Sequence, residues 1–154
     1  MTAAGLIEAL ADEISDAVRM YRLKGDRDPP KEVTIYRQYI PVERFEDKDG
    51  RYHPLILVAL RTIEDDKETE YEVGLTFGVY GESDETWIDL LNLMETVRLR
   101  LLSRRLINRR YRLVGELVSE ISEIQPAPFF YGEMVGRYMS YQPQEERGKS
   151  NGSV

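Results

Sequence analysis

The 154-residue chain has one histidine and no cysteine, which narrows its chemistry from the start. His53 stands in "VERFEDKDGRYHP", close in sequence to Asp47 and Asp49. Histidine, a carboxylate and a hydroxyl make a hydrolytic triad when the fold aligns them. No G-x-S-x-G stretch offers a nucleophile elbow, so His53 reads as a solvated or interface histidine in a charged loop. Without thiols there is no thiolate nucleophile, disulfide or cysteine-ligated metal centre, which fits a reducing compartment. Glu64, Asp65, Asp66, Glu68, Glu70 and Glu72 lack the ligand ladder and bidentate glutamate of an EF-hand. They read as a solvated turn. "GLTFGVYG" matches neither phosphate-binding glycine pattern. No nucleophile, base and oxyanion donors converge. The expectation is therefore no enzyme, no metal and no cofactor.

The other chemistry is charge. A formal net charge of −7 disfavours general nucleic-acid binding. The charge is uneven, because no acid lies between Glu95 and Glu116, where Arg98, Arg100, Arg104, Arg105, Arg109, Arg110 and Arg112 crowd together. Three readings of that segment stay open: a solvated helix end, a docking surface for an acidic neighbour, or a nucleic-acid contact. The 10 tyrosines outnumber all other aromatics, and their apolar bodies and polar tips suit protein interfaces or half-buried sheet edges.

The elements that position these residues follow from periodicity. Residues 2–22 read as an amphipathic helix with Leu10 and Ile14 in its core stripe and Thr2 as its cap. "KGDRDPP" at 24–30 stops it. "EVTIYRQYI" at 32–40 reads as a strand. Residues 43–53, with Phe45, Tyr52 and the Asp49-Gly50 turn signal, read as a hairpin tip or long projecting loop. "LILVALRTI" at 55–63, including Leu57, reads as a buried central strand. A turn at 65–69 leads into "YEVGLTFGVYG", which puts Val73, Leu75, Phe77 and Val79 on one face. Gly74 and Gly78 fall on the other, where a helix or backbone is expected to pack close. A second helix spans about Asp84 to Leu106, capped by Ser83 or Asp84. Its buried stripe is Trp87, Leu90, Leu91, Met94, Val97, Leu101 and Leu102.

Residues 111–124 fit both a helical period and an irregular strand. "FYGEMVGRYMSY" at 130–141 reads as a final strand with Gly132 and Gly136 as bulges. The stretch "QPAPFFYG" at 125–132 reads as a rigid crossing. Phe129 or Phe130 would anchor it on the core, and the other ring and Tyr131 are left for a neighbour. The fold class is α+β: a mixed, mostly antiparallel sheet packed against an N-terminal and a central helix, with a projecting hairpin or loop. Residues 1–141 form one domain, and 142–154 form a polar tail, ordered only against a neighbour. "LILVAL" is far too short to span a bilayer, and the acidic N-terminal stretch is unlike a signal peptide. The expectation is a soluble protein made in the cytoplasm.

The order of these elements resembles the tail terminator (tail-completion) proteins of tailed bacteriophages and phage-tail-like particles. The resemblance lies in "YEVGLTFGVYG", then "TWIDLLNLMETVRLRLL" with Trp87, Asp89, Leu90 and Met94. After a further strand come Gln125, Pro126, Pro128 and Gly132. It covers about residues 5–141 and favours a strand at 111–124. It implies a non-enzymatic virion subunit that assembles into a ring, commonly a hexamer, on the last ring of the tail tube. There it would stop tube growth and present the surface for the head connector, while DNA passes the channel without specific binding. A ring uses heterologous contacts, so Arg104, Arg105 and Arg109 are expected to face Glu64, Asp65 and Asp66 of the next copy. Phe45, Tyr52, Phe130 and Tyr131 are the other expected contacts. The alternatives are another neck or head-completion subunit, and a nucleic-acid-binding or regulatory module using Arg98–Arg112.

Overall fold

In the computed structural model, residues 2–21, 31–45 and 48–140 are described, without the side chain of Phe45. The expected helix stop at 24–30 and the polar tail at 142–154 lie outside these residues. The elements in chain order are α1 (Ala3–Ala17), β1 (Thr34–Arg37), α2 (Val42–Phe45), β2 (Leu55–Asp65) and β3 (Thr69–Tyr80). They continue with α3 (Thr86–Ser103), β4 (Leu106–Ile107), β5 (Tyr111–Ile121) and β6 (Phe129–Ser140). The strands form one sheet in the order β1-β2-β3-β6-β5-β4. Only β1 and β2 run parallel; every other pair is antiparallel. The architecture is mixed α+β, as the periodicities imply.

Alternation decides which face is the core. Val73, Leu75, Phe77 and Val79 of β3 are all buried, with Ile56 and Val58 of β2, Leu113 of β5 and Met134 and Tyr138 of β6. α1 covers this face over β1 and β2, and α3 covers it over β3 and β6. α1 buries Leu6, Ile7, Leu10, Ala11 and Ile14. Thr2 caps it by accepting from the Gly5 amide at 2.9 Å. α3 buries Leu90, Leu93, Met94, Val97 and Leu101.

Several expectations change. The stretch 41–54 is no hairpin tip, because parallel strands need a crossover; the chain crosses through α2 and a turn at Gly50, with φ 67. β2 is not central. It lies second from the edge, and β1 covers only Leu55–Val58. Leu57 is half-buried because it alternates onto the face away from the helices, opposite Thr76. Trp87 is 50% exposed and Leu91 41% exposed. The true stripe runs through 90, 93, 94, 97 and 101, and Trp87 and Leu91 lie on its flank. α3 begins at Thr86 with Glu85 as N-cap and no side-chain cap; Ser83 instead accepts from the Glu85 amide in the preceding turn.

The atoms nearest to Gly74 and Gly78 belong to side chains, not to a helix or backbone. The Arg61 side chain lies against Gly74, and Tyr131 and His53 lie against Gly78. Gly132 and Gly136 are not bulges, since β3 and β6 pair without a register shift. They are small because Met94 sits over Gly132, and Leu113 and Leu117 over Gly136. The bulge falls instead in β5 between Val114 and Val118, at Gly115 with φ 70. Residues 111–121 are a strand because the β4–β5 turn, with Asn108 and Arg109 at positive φ, folds β5 back on β4.

Candidate interaction surfaces

Helix α1 and helix α3 are joined by charge. Arg100 donates to Glu13 at 2.9 Å and to Asp16 at 3.0 Å, and Arg104 reaches Glu13 at 3.2 Å. The hydrogen bond from Arg100 holds the Asp16 carboxyl below the ordinary 3.8. Arg105 donates to the Leu113 carbonyl at 3.4 Å. Arg104 and Arg105 thus already serve their own chain. Among the described residues, Arg109, Arg110 and Arg112 are exposed and make no ion pair.

The acidic turn divides the same way. Thr69 donates to Asp65 at 2.8 Å, and Glu64 meets Arg137 at 3.4 Å. Asp66 is exposed, and no ion pair among the described residues uses its side chain. Glu70 pairs across the sheet with Met139, and Tyr111 with Ser140. The 66–68 turn, with Asp66 and Glu68 on either side of Lys67, and the basic 108–110 turn therefore share one end of the sheet. Three strand spacings separate them, about 14 Å. No group of three or more His, Asp or Glu side chains among the described residues is arranged to hold a metal.

His53 is buried, not solvated, at 1% exposure. Its Nε2 lies 3.2 Å from the Tyr131 hydroxyl, and its ring centroid is 5.1 Å from that of Phe129. Burial raises the Tyr131 hydroxyl pKa. Tyr131 also stacks on Phe129 with centroids 6.4 Å apart. Phe130 points the other way and packs against the core. Gln125 fixes the crossing by accepting from the Tyr131 amide at 2.7 Å and donating to the Ser122 and Tyr131 carbonyls. Tyr52 is half-buried, with the Arg44 guanidinium 5.3 Å from its ring centre. Tyr131 and Tyr52 thus have partners within the chain, and nothing in the sequence marked His53 as the ring that locks the 48–54 segment to "PFFY".

The sheet face away from the helices is charged. Arg137 reaches Glu64, Glu70 and Glu72, each at 3.4 Å, and Arg61 reaches Glu133 at 3.4 Å and Glu72 at 3.9 Å. Sequence reasoning missed this network, because it depends on the β2-β3-β6 register.

No known protein family matches the sequence, and no curated protein matches it. Among solved structures, a chain described as "Virion of native gene transfer agent (GTA) particle" is similar over 91% of this chain and 98% of that chain. The identity is 14% and the TM-score 0.47. No helix among the described residues is long and apolar enough to cross a membrane.

Proposed function

We propose that the chain is a structural subunit of a phage-like virion and, within it, a tail terminator. Its copies close into a ring, of six under the resemblance, on the end of the tail tube. The ring stops tube growth and offers the head connector its joining surface. Catalysis has no place in this role. The observation that carries the reading is the division of uncommitted charge at one end of the sheet. Arg109 and Arg110 stand on the turn after β4 with Arg112 just inside β5, and Asp66 stands on the turn after β2. Copies set side by side in a ring meet through unlike patches, so the basic turn of one reaches the acidic turn of the next. Arg109 and Asp66 lead this contact, because Arg104, Arg105 and Glu64 are engaged within their own chain.

The test is charge reversal. Arg109→Glu is expected to abolish ring formation, Asp66→Lys likewise, and the double variant to restore it. Sedimentation velocity and negative-stain images read the outcome. Rings that form unchanged with Arg109→Glu overturn the contact. Tight, salt-dependent DNA binding by the basic turn would favour a nucleic-acid module instead.

A further inference from the structure

A second surface lies at the outer edge of β5, away from both charged turns. β4 pairs only with Tyr111 and Arg112, so β5 beyond the Gly115 bulge has no strand on its outer side among the described residues. The Ser122 amide donates to the Tyr131 carbonyl. Antiparallel alternation then turns the backbone N–H and C=O groups of Ser119 and Ile121 outward, toward the open edge. That edge is apolar as well as unpaired: Val118 and Ile121 are each 46% exposed and Ile124 83%.

Helix α3 walls this edge on one side. The flank of α3 bearing Arg100 faces α1 through the Arg100–Glu13 bond, and the Tyr21 hydroxyl, beyond the end of α1, donates to the Asp89 carbonyl. Met94 lies over Gly132, the direct partner of Ile121. Trp87 and Leu91 fall seven and three residues before Met94, on the stripe opposite the α1 side. The half-exposed Trp87 and Leu91 therefore rim the strip of sheet that ends at Ile121.

Charge selects the occupant. Glu116, Glu120 and Glu123 are exposed along this edge, and no ion pair among the described residues uses them. Glu120 sits directly opposite Glu133, and like charges across a strand pair repel. Beyond Leu60, whose amide and carbonyl the Gln38 side chain takes up, the edge of β2 has no strand beside it among the described residues and carries Glu64 and Asp65, which would add acid to acid. A second copy offering that edge is thus disfavoured.

We propose that the outer edge of β5, with the Trp87–Leu91 flank of α3, docks an extended segment of a partner protein that alternates apolar and lysine or arginine residues. The segment adds a strand to the sheet. Its backbone bonds to Ser119 and Ile121, its apolar side chains cover Ile121, Leu91 and Trp87, and its cations meet Glu116 and Glu120. This inference does not rest on the ring or on the tail-tube reading.

Trp87 is the only tryptophan, so its emission reports on the groove. The full chain is titrated with an eight-residue peptide alternating valine and lysine, and with its valine–glutamate counterpart. The lysine peptide is expected to shift Trp87 emission to the blue, saturably and at least tenfold more tightly than the glutamate peptide. Ser119→Pro removes an outward N–H that no bond among the described residues uses, so circular dichroism stays unchanged while binding is lost. Glu120→Lys is expected to weaken the lysine peptide about tenfold and gives a second readout if Ser119→Pro fails to fold. Equal binding of both peptides, no emission change, or full binding by Glu120→Lys overturns the proposal. Concentration-dependent self-association that Ser119→Pro abolishes would assign the edge to a second copy and overturn it too.

Discussion

Tyr138 is 1% exposed on the core face, and its hydroxyl has no hydrogen-bond partner among the described residues. A buried, unsatisfied hydroxyl costs stability that phenylalanine does not. Tyr138→Phe is therefore expected to be neutral or more stable by up to about 1 kcal/mol in chemical denaturation. Burial, with a lesser contribution from Glu13, raises the hydroxyl pKa above the ordinary 10.0. A raised folded pKa means that the neutral ring's contribution is whole below pH 10 and falls as pH rises through the folded value. Denaturation at pH 9 and 11 should thus show a smaller alkaline loss in Tyr138→Phe than in the parent. Two glycines make a further residue-scale contrast. Both Gly50 and Gly115 have positive φ, but the Tyr80 ring lies against Gly50, whereas no atom lies within 4 Å of the position a Cβ would take on Gly115. Gly50→Asn is expected to cost about 1–3 kcal/mol from overpacking. Gly115→Asn should cost no more than about 1 kcal/mol, since asparagine tolerates the left-handed region. Melting curves of the two variants compare them directly.

At the scale of elements, Arg100 ties α3 to α1. Its side chain is 23% exposed and that of Glu13 16%, so solvent screens this pair less than an open surface bridge. Arg100→Met is expected to destabilise by about 1–2 kcal/mol, short of the loss for a fully buried pair. The same variant should let Asp16 titrate nearer 3.8, because the Arg100 hydrogen bond is the largest cause of its lowered value. Asp16 has a depressed folded pKa, so its contribution is present above pH 3.8 and is lost as pH falls through the folded value. Carboxyl-detected NMR titration of parent and variant checks both the direction and the cause.

Much of this layer was legible in the sequence. α1 was, through Thr2, Leu10 and Ile14; so was β3, whose alternation survives because helices cover one face and charged side chains the other. The parallel β1–β2 pair was not, because Asp49-Gly50 signals a turn equally well inside a crossover and at a hairpin tip. The side of α3 was misjudged at Trp87 and Leu91, since a helix flank and a helix core differ by less than half a turn. β4 is two residues long and carries no period of its own. His53 escaped notice because its partners, Phe129 and Tyr131, are brought to it only by β2–β3–β6 pairing.

At the scale of the whole molecule, acids exceed bases by seven, yet the excess is not spread evenly. Among the described residues, Arg109 and Arg110 on the β4–β5 turn make no ion pair, nor do Asp66 on the β2–β3 turn, where Lys67 also stands, and Glu116 and Glu120 along β5. That division suits an assembling subunit with one face for its own copies and another for a different protein. Under the proposed tail-terminator role, a net negative charge also suits a channel wall past which DNA slides without sticking. The measurement that tests this account most directly is electron microscopy of the purified chain mixed with tail tubes from its own particle. The account predicts a ring seated on one end of each tube and no further growth from that end. Bare tubes at both ends, or attachment to DNA-filled heads in the absence of tubes, would contradict it.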